Sequence, residues 1–340
     1  MIKKVLLILL IFGYLTSGCK QNKIEFQRIT GMIQGSTYSI VYENKPKIEP
    51  EELKRIVEKI FHDFDMSLSV YNDSSIISRI NRNENVTVDT FFTESFNRSQ
   101  EISKMSDGAF DITVGPLVRA WGFGPDGHKN FDKSKLDSLL KLVGFEKVTI
   151  KNNHLIKSDP GICLDMNAIA QGYSSDVLCR YFEGLGLKNF LIEVGGEIMA
   201  RGDKGGDYWK IGIDKPIDNN MTPGRNLQAI IKIKNRGMST SGNYRKFYIE
   251  NGIKYSHEID PKTGYPARNT LLSATIIADD CATADGYATA CMVMGTDKSI
   301  EFLNRHKELD AYLVYSDEEG NFKTWMTRNL RKNIDENISN

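Results

Sequence analysis

The chain has no net charge: 44 Lys and Arg stand against 44 Asp and Glu in 340 residues. With no long basic run either, there is no electrostatic case for nucleic acid as a partner. Cysteine is sparse, five in all. Beyond Cys19, the remaining Cys163, Cys179, Cys281 and Cys291 include no C-x-x-C pair and no suitably spaced histidine. This argues against a structural zinc and a dithiol redox motif, and leaves the four as small buried side chains. The one leading apolar run, residues 5–15, is too short for a comfortable bilayer span. Nor is there a true dinucleotide fingerprint. Gly122, Gly124 and Gly127 match G-x-G-x-x-G only in form, because no buried strand runs into them and Pro125 interrupts them. The next helical pattern, from Leu136, starts too late to cap a pyrophosphate. Repeats and low-complexity linkers are absent as well.

What is present begins with a leader. Lys3 and Lys4 precede the apolar run, and Thr16, Ser17, Gly18 and Cys19 follow it. Residues 15–19 resemble a bacterial lipobox, which implies cleavage before Cys19, lipidation of that cysteine and a mature chain tethered outside the cytoplasm. An ordinary signal peptide or an uncleaved anchor is the alternative. The expected organisation is a signal peptide over 1–18, a tether over 19–26, a folded domain over 27–327 and a polar, frayed tail over 328–340. Length and a 40% hydrophobic content allow one large domain or two intergrown ones.

Leu53, Ile56, Val57, Ile60, Phe61 and Phe64 fall at helical spacing and predict an amphipathic helix over 51–64. Further helices are predicted at 76–81, 93–105, from Leu136, from about 164 to 182, and at 298–306. Alternating or β-branched runs predict strands at 35–42, 190–194, 209–213, 227–233, 244–249, 254–258, 273–278 and 311–315. A hairpin is expected around Asn152-Asn153. Strands and helices mix without strict alternation, so the expected class is α+β with largely antiparallel sheets and packed helices.

The most informative stretch is 279–295, D-D-C-A-T-A-D-G-Y-A-T-A-C-M-V-M-G. Its small residues let another backbone or a ligand come close. Asp285 and Thr289 stand one helical turn apart on one face. Hard oxygen donors so placed suit Mg2+ or Ca2+ better than a transition metal. The bland alternative is an Ala-rich core helix with an Asp near its positive end. Gly195-Gly196 after a strand marks close backbone approach, to a ligand or to another strand.

Taken together, the polar motifs form a set: Gly35-Ser36-Thr37-Tyr38, Leu68-Ser69-Val70-Tyr71, Gly108-Ala109-Phe110-Asp111, Leu164-Asp165 through Gln171-Gly172-Tyr173, Gly195-Gly196-Glu197, Ser239 through Arg245, Ser256-His257-Glu258-Ile259-Asp260 through Pro266, and Asp285-x-x-Ala288-Thr289. This set resembles the ApbE family, flavin transferases that move FMN from FAD onto a Thr or Ser of an acceptor protein. The resemblance covers residues 27–315 and implies a T-fold-related architecture of two intergrown subdomains. It places metal ligands at the carbonyls of Ala168 and Ala288, at Asp285 and at Thr289. Flavin-dinucleotide contacts fall on Gln34, Tyr71, Ala109, Phe110, Asp111, Asp165, Gln171 and Ile259. Arg245 and His257 fall near the phosphates, and His257 can serve as a base or a phosphate-orienting group. A structural histidine at a strand end is its alternative.

Mg2+ is the implied metal, FAD the implied substrate, and a membrane redox subunit the implied acceptor, met by a lipid-anchored protein on the periplasmic side. The sequence departs from the family pattern at Gln34 for Met, Ser36 for Thr, Ile76 for an acidic residue, Asn167-Ala168 for a Gly-containing pair, Gln171 for Lys and Asn243 for Asp. Gln171 removes a charge at the nucleotide, which Arg245 is placed to replace. Two other activities share these features: a metal-dependent FAD pyrophosphatase giving FMN and AMP, and a flavin-binding lipoprotein without turnover.

Overall fold

The computed structural model describes residues 24–45, 48–125, 127, 131–217, 224–244, 247–250 and 253–336. Cys19 with its leader and Arg245 lie outside these. β1 (Phe26–Ile33) and β2 (Ser36–Glu43) pair with Ile33 opposite Ser36, so Gln34 and Gly35 alone turn the chain. Both carry positive φ, 52° and 70°, the geometry of a two-residue hairpin that follows the natural strand twist.

α1 (Pro50–Leu68) opens on Pro50 with Glu51 and Glu52 in its first turn, and buries Leu53, Val57, Phe61 and Phe64. It outruns the predicted 51–64 because its last turn is held partly by polar contact, the Ser67 hydroxyl donating to Asp89. α2 (Ile76–Asn81) is capped by Ser75 and keeps its predicted bounds. α3 (Thr90–Met105) starts three residues earlier than predicted because Asp89 caps it, accepting from Phe92 N.

The short α4 (Gly115–Ala120) and α5 (Leu136–Leu140) precede the expected hairpin of β3 (Val148–Lys151) and β4 (His154–Lys157). Next come α6 (Asn167–Gly184), β5 (Phe190–Val194), β6 (Glu197–Arg201), β7 (Trp209–Asp214), β8 (Leu227–Ile233), β9 (Gly237–Gly242), β10 (Phe247–Glu250), β11 (Ile253–Ser256) and β12 (Leu271–Ala278). α7 (Cys281–Met294), α8 (Thr296–Arg305), β13 (Asp310–Ser316), β14 (Phe322–Met326) and β15 (Ile334–Asp335) complete the chain.

Eight strands form one sheet in the order β1-β2-β5-β6-β9-β12-β13-β14, every neighbour antiparallel. Helices cover one face: α1 and α6 lie over β1, β2 and β5, while α3, α7 and α8 close a larger core over β12 and β13. On the other face, Trp209, Ile211 and Ile213 of β7 and Ala229, Ile231 and Ile233 of β8 meet Ile198, Met238, Ile277 and Tyr312 of the large sheet. The α+β class is as the sequence predicts. A separate small core of Leu117, Trp121, Leu136, Val143, Tyr255 and Ile259 ties α4 and α5 to the β10–β11 hairpin. Among the described residues, no helix is long and apolar enough to cross a membrane.

Five strands were not foreseen: β1, β6, β9, β14 and β15. The predicted strand at 244–249 begins only at Phe247. The tail expected to fray from Arg328 instead enters the fold. Leu330 is 3% exposed within the second-face core, and Ile334 of β15 pairs with Ile231 of β8.

Candidate functional site

α7 is buried on nearly every side, and its first three backbone N–H groups all end on carboxylates. Asp280 accepts from Thr283 N, and Asp176 of α6 accepts from Cys281 N on one oxygen and Ala282 N on the other, each at 2.8 Å. Burial pushes the Asp176 carboxyl up to about 7, helped by the neighbouring Asp280 and opposed by the two N–H donors. Two glycines allow this close docking. A Cβ on Gly172 would lie 2.6 Å from the Cys281 carbonyl oxygen, and one on Gly237 at the start of β9 would lie 2.5 Å from Cys281 N.

The docking sets Asp285 where α6, α7 and β9 converge. It is 6% exposed; one oxygen accepts from Gly172 N at 3.0 Å and the other from the Ser239 hydroxyl at 3.2 Å. Ala288 and Thr289 follow one turn along α7, the first buried and the second half-buried. Ala168 stands one turn before Gly172 on α6.

Among the described residues no group of three or more His, Cys, Asp or Glu could hold a metal alone. One carboxylate with a hydroxyl and carbonyl oxygens is an all-oxygen donor set. Such a set fits Mg2+, which commonly takes one or two carboxylates and completes its shell with water and substrate phosphate.

The rim is built from turns. Gly195 N donates to Thr37 O at 2.9 Å, joining the β5–β6 turn to β2. A Cβ on Gly195 would meet the Gln171 amide at 2.7 Å, so the glycine pair serves a side chain and a strand at once. Gln34, in the β1–β2 turn, donates to Asp65 of α1 at 3.2 Å. Tyr71 is 64% exposed. Partial burial and the Asp165 carboxylate raise its phenol, while a hydrogen bond with Asn167 works against them. Asp165 itself accepts from Asn167 N at 2.9 Å, opening the turn into α6. Tyr71, Asp165, Asn167 and Ala168 are thus brought together at the α6 start.

Other predicted residues are less available. Ala109 and Phe110 are buried in the large core, so the Phe110 ring packs inside the protein. Asp111 is buried with one oxygen committed to the N–H and hydroxyl of Thr113. Burial raises its carboxyl, with the Thr113 bonds opposing. Ile259 is buried in the small core and bridges Pro266. His257, two residues away, is part-exposed. The loop after it reaches the residue before the Gly108 block through Lys262 paired with Asp107, and the end of α4 through Trp121 Nε1 donating to Gly264 O at 2.7 Å. Sequence reasoning assigned no role to Gly172, Ser239, Asp176 or Glu258. Gly172, Ser239 and Glu258 stood in quoted motifs without a role, and Asp176 lay outside all of them.

A model of the ApbE family matches residues 34–313. The FAD:protein FMN transferase of Haemophilus influenzae is 34% identical over 313 residues, spanning 88% of this chain and 89% of that protein. That of Escherichia coli K12 is 35% identical over 286 residues, spanning 81% of this chain and 80% of that protein. Among solved structures, the flavin transferase ApbE from Vibrio cholerae superposes with a TM-score of 0.82 at 31% identity, covering 91% of this chain and 99% of its own. The apo flavinyl transferase ApbE of Pseudomonas stutzeri superposes at 0.80 with 32% identity, covering 90% and 95%.

Proposed function

The chain belongs to the ApbE family, and from that premise we propose that it transfers FMN from FAD to a Thr or Ser hydroxyl of an acceptor protein, releasing AMP. The observation that carries this reading is Asp285, a buried carboxylate held by a backbone N–H of α6 and a hydroxyl of β9. That arrangement fixes both carboxylate oxygens where α6, α7 and β9 converge.

The chemistry is a displacement at phosphorus. The acceptor oxygen bonds to the flavin-side phosphorus, the bond from that phosphorus to the bridging oxygen breaks, and AMP leaves with the bridging oxygen. The hydroxyl proton passes to His257. Asp285, Thr289 and the carbonyls of Ala168 and Ala288 would hold Mg2+, which when bound neutralises pyrophosphate charge. Tyr71, Asp165, Gln171 and Gln34 line the approach of the dinucleotide, and the role of phosphate contact falls to Arg245 on its sequence motif alone. Most of the acceleration then comes from alignment and fixed charge rather than covalent participation by the protein.

In this reading residues 1–18 are removed and Cys19 carries lipid, holding the enzyme at a membrane outside the cytoplasm beside its acceptor. The test is mass spectrometry of a Thr-containing acceptor after incubation with FAD and Mg2+. A gain of one FMN with AMP released in equal amount supports transfer. FMN and AMP appearing in solution with the acceptor unmodified would overturn it.

A further inference from the structure

Glu258, next to His257, is 5% exposed, and among the described residues neither of its carboxylate oxygens has a hydrogen-bond partner. Burying a carboxylate in that state is costly, because its charge loses water without hydrogen bonds to replace it. Its backbone is fixed nonetheless: Ala267 N donates to Glu258 O at 2.7 Å, and Ile259 bridges Pro266. Among the described residues it has one ion-pair contact, His257 Nδ1 at 3.4 Å from Oε1. The His257 side chain is 37% exposed, and its ring meets Phe123 edge-on at 6.4 Å between centroids. The imidazole thus has a buried carboxylate on its Nδ1 side while part of its surface stays open.

We propose that Glu258 is the positioning residue for His257. Its carboxylate accepts the Nδ1–H and fixes the tautomer whose Nε2 is bare. In the transfer step the acceptor hydroxyl proton then moves to Nε2, and the Nδ1–H stays with Glu258 throughout. The proposal rests on the reading of His257 as the base. A contact of 3.4 Å is long for a hydrogen bond, and such bonds are often loose before substrate binds.

The decisive variant is Glu258→Leu, which deletes the acceptor and replaces an uncompensated charge with an apolar group of similar size. Three quantities are measured on the full chain: melting temperature, the ring nitrogen shifts of 15N-labelled His257 (assigned with His257→Gln), and kcat and KM for FMN transfer. The expected result is a melting temperature equal to or above wild type, loss of the Nδ1–H tautomer, and kcat lower by about 10- to 100-fold, the usual effect of removing an outer-shell partner, with KM for FAD unchanged. Glu258→Gln, whose amide oxygen still accepts, should recover most of the rate.

An unchanged nitrogen pattern, a wild-type kcat or an unfolded leucine variant would each overturn the proposal, the last because a buried carboxylate with a single long contact contributes too little to folding for its loss to unfold the chain. If His257→Gln transfers FMN at the wild-type rate, the base assignment fails, while the nitrogen shifts still decide whether Glu258 holds the ring.

Discussion

Replacing Gly172 by alanine tests whether the docking of α6 on α7 sets the reacting geometry. The added Cβ would stand 2.6 Å from the Cys281 carbonyl oxygen, 2.7 Å from Asp285 Cβ and 2.9 Å from the Cys281 carbonyl carbon. Ordinary contact begins at 3.4 Å, so the helices must part by about 0.8 Å. The obstacles are backbone and the root of a fixed side chain, so no flexible tip can swing aside. Overpacking of this kind costs about 1–3 kcal/mol, offset by the ~0.5–1 kcal/mol that alanine gains over glycine in a helix. A net loss near 1–2 kcal/mol lowers the melting temperature by roughly 1.5–3 °C for a domain of about 300 residues.

Function should suffer more than stability. The bond from Gly172 N to Asp285 lengthens, and displacement approaching 1 Å can cost about a hundredfold in rate. The assay is calorimetry alongside AMP release in the presence of acceptor. Gly184→Ala is the control, since a Cβ at the end of the same helix meets nothing within 4 Å. A Gly172→Ala protein with wild-type melting and wild-type turnover would refute the reasoning.

Asp285→Asn keeps the volume, and its amide can still accept from Gly172 N while donating to the Ser239 hydroxyl, but the charge is gone. It should fold normally yet transfer FMN about a thousandfold more slowly or worse, read as initial rate at saturating FAD and Mg2+; a loss of only a fewfold would remove Asp285 from the metal. Asp176 is raised by burial to about 7 from 3.8, so the folded state holds its proton more tightly than the unfolded one. Its contribution to stability is full below the unfolded value and is lost as pH rises through the folded one. The melting temperature of Asp176→Asn relative to wild type should therefore be more favourable at pH 8 than at pH 5, and a pH-independent difference would contradict this. Cys19→Ala should leave the precursor uncut or free the protein from membranes on fractionation, whereas unchanged processing and attachment would rule out the lipid anchor.

Much of the helical framework was legible because burial repeats with the helix period. The residues of α1 that face the core are the ones whose spacing announced it, and α2 was bounded by its serine cap. Asp285 was legible because a carboxylate and a hydroxyl one turn apart amid small residues is an unusual pattern. β9 was not, because Gly-Met-Ser-Thr-Ser-Gly carries none of the branched apolar residues that mark strands. It is a central strand with glycine at its start because the first turn of α7 lies against it, a tertiary reason with no local trace. Asp176 binds N–H groups 105 and 106 residues away, and nothing in its own neighbourhood announces them. Glu258 reads from sequence as one more charged residue, and only its burial makes it unusual.

The pairing of β15 with β8 bears on how the chain can be manufactured and handled. β8 ends at Ile233, and the strand that covers its outer edge begins at Ile334, roughly a hundred residues later in synthesis. Until the last stretch emerges, that edge presents unpaired backbone groups to any other nascent copy. Truncation at residue 327 would also strip Leu330 from the layer. Expression trials that trim the polar end for convenience should therefore yield inclusion bodies, and affinity tags belong beyond residue 336 with a spacer.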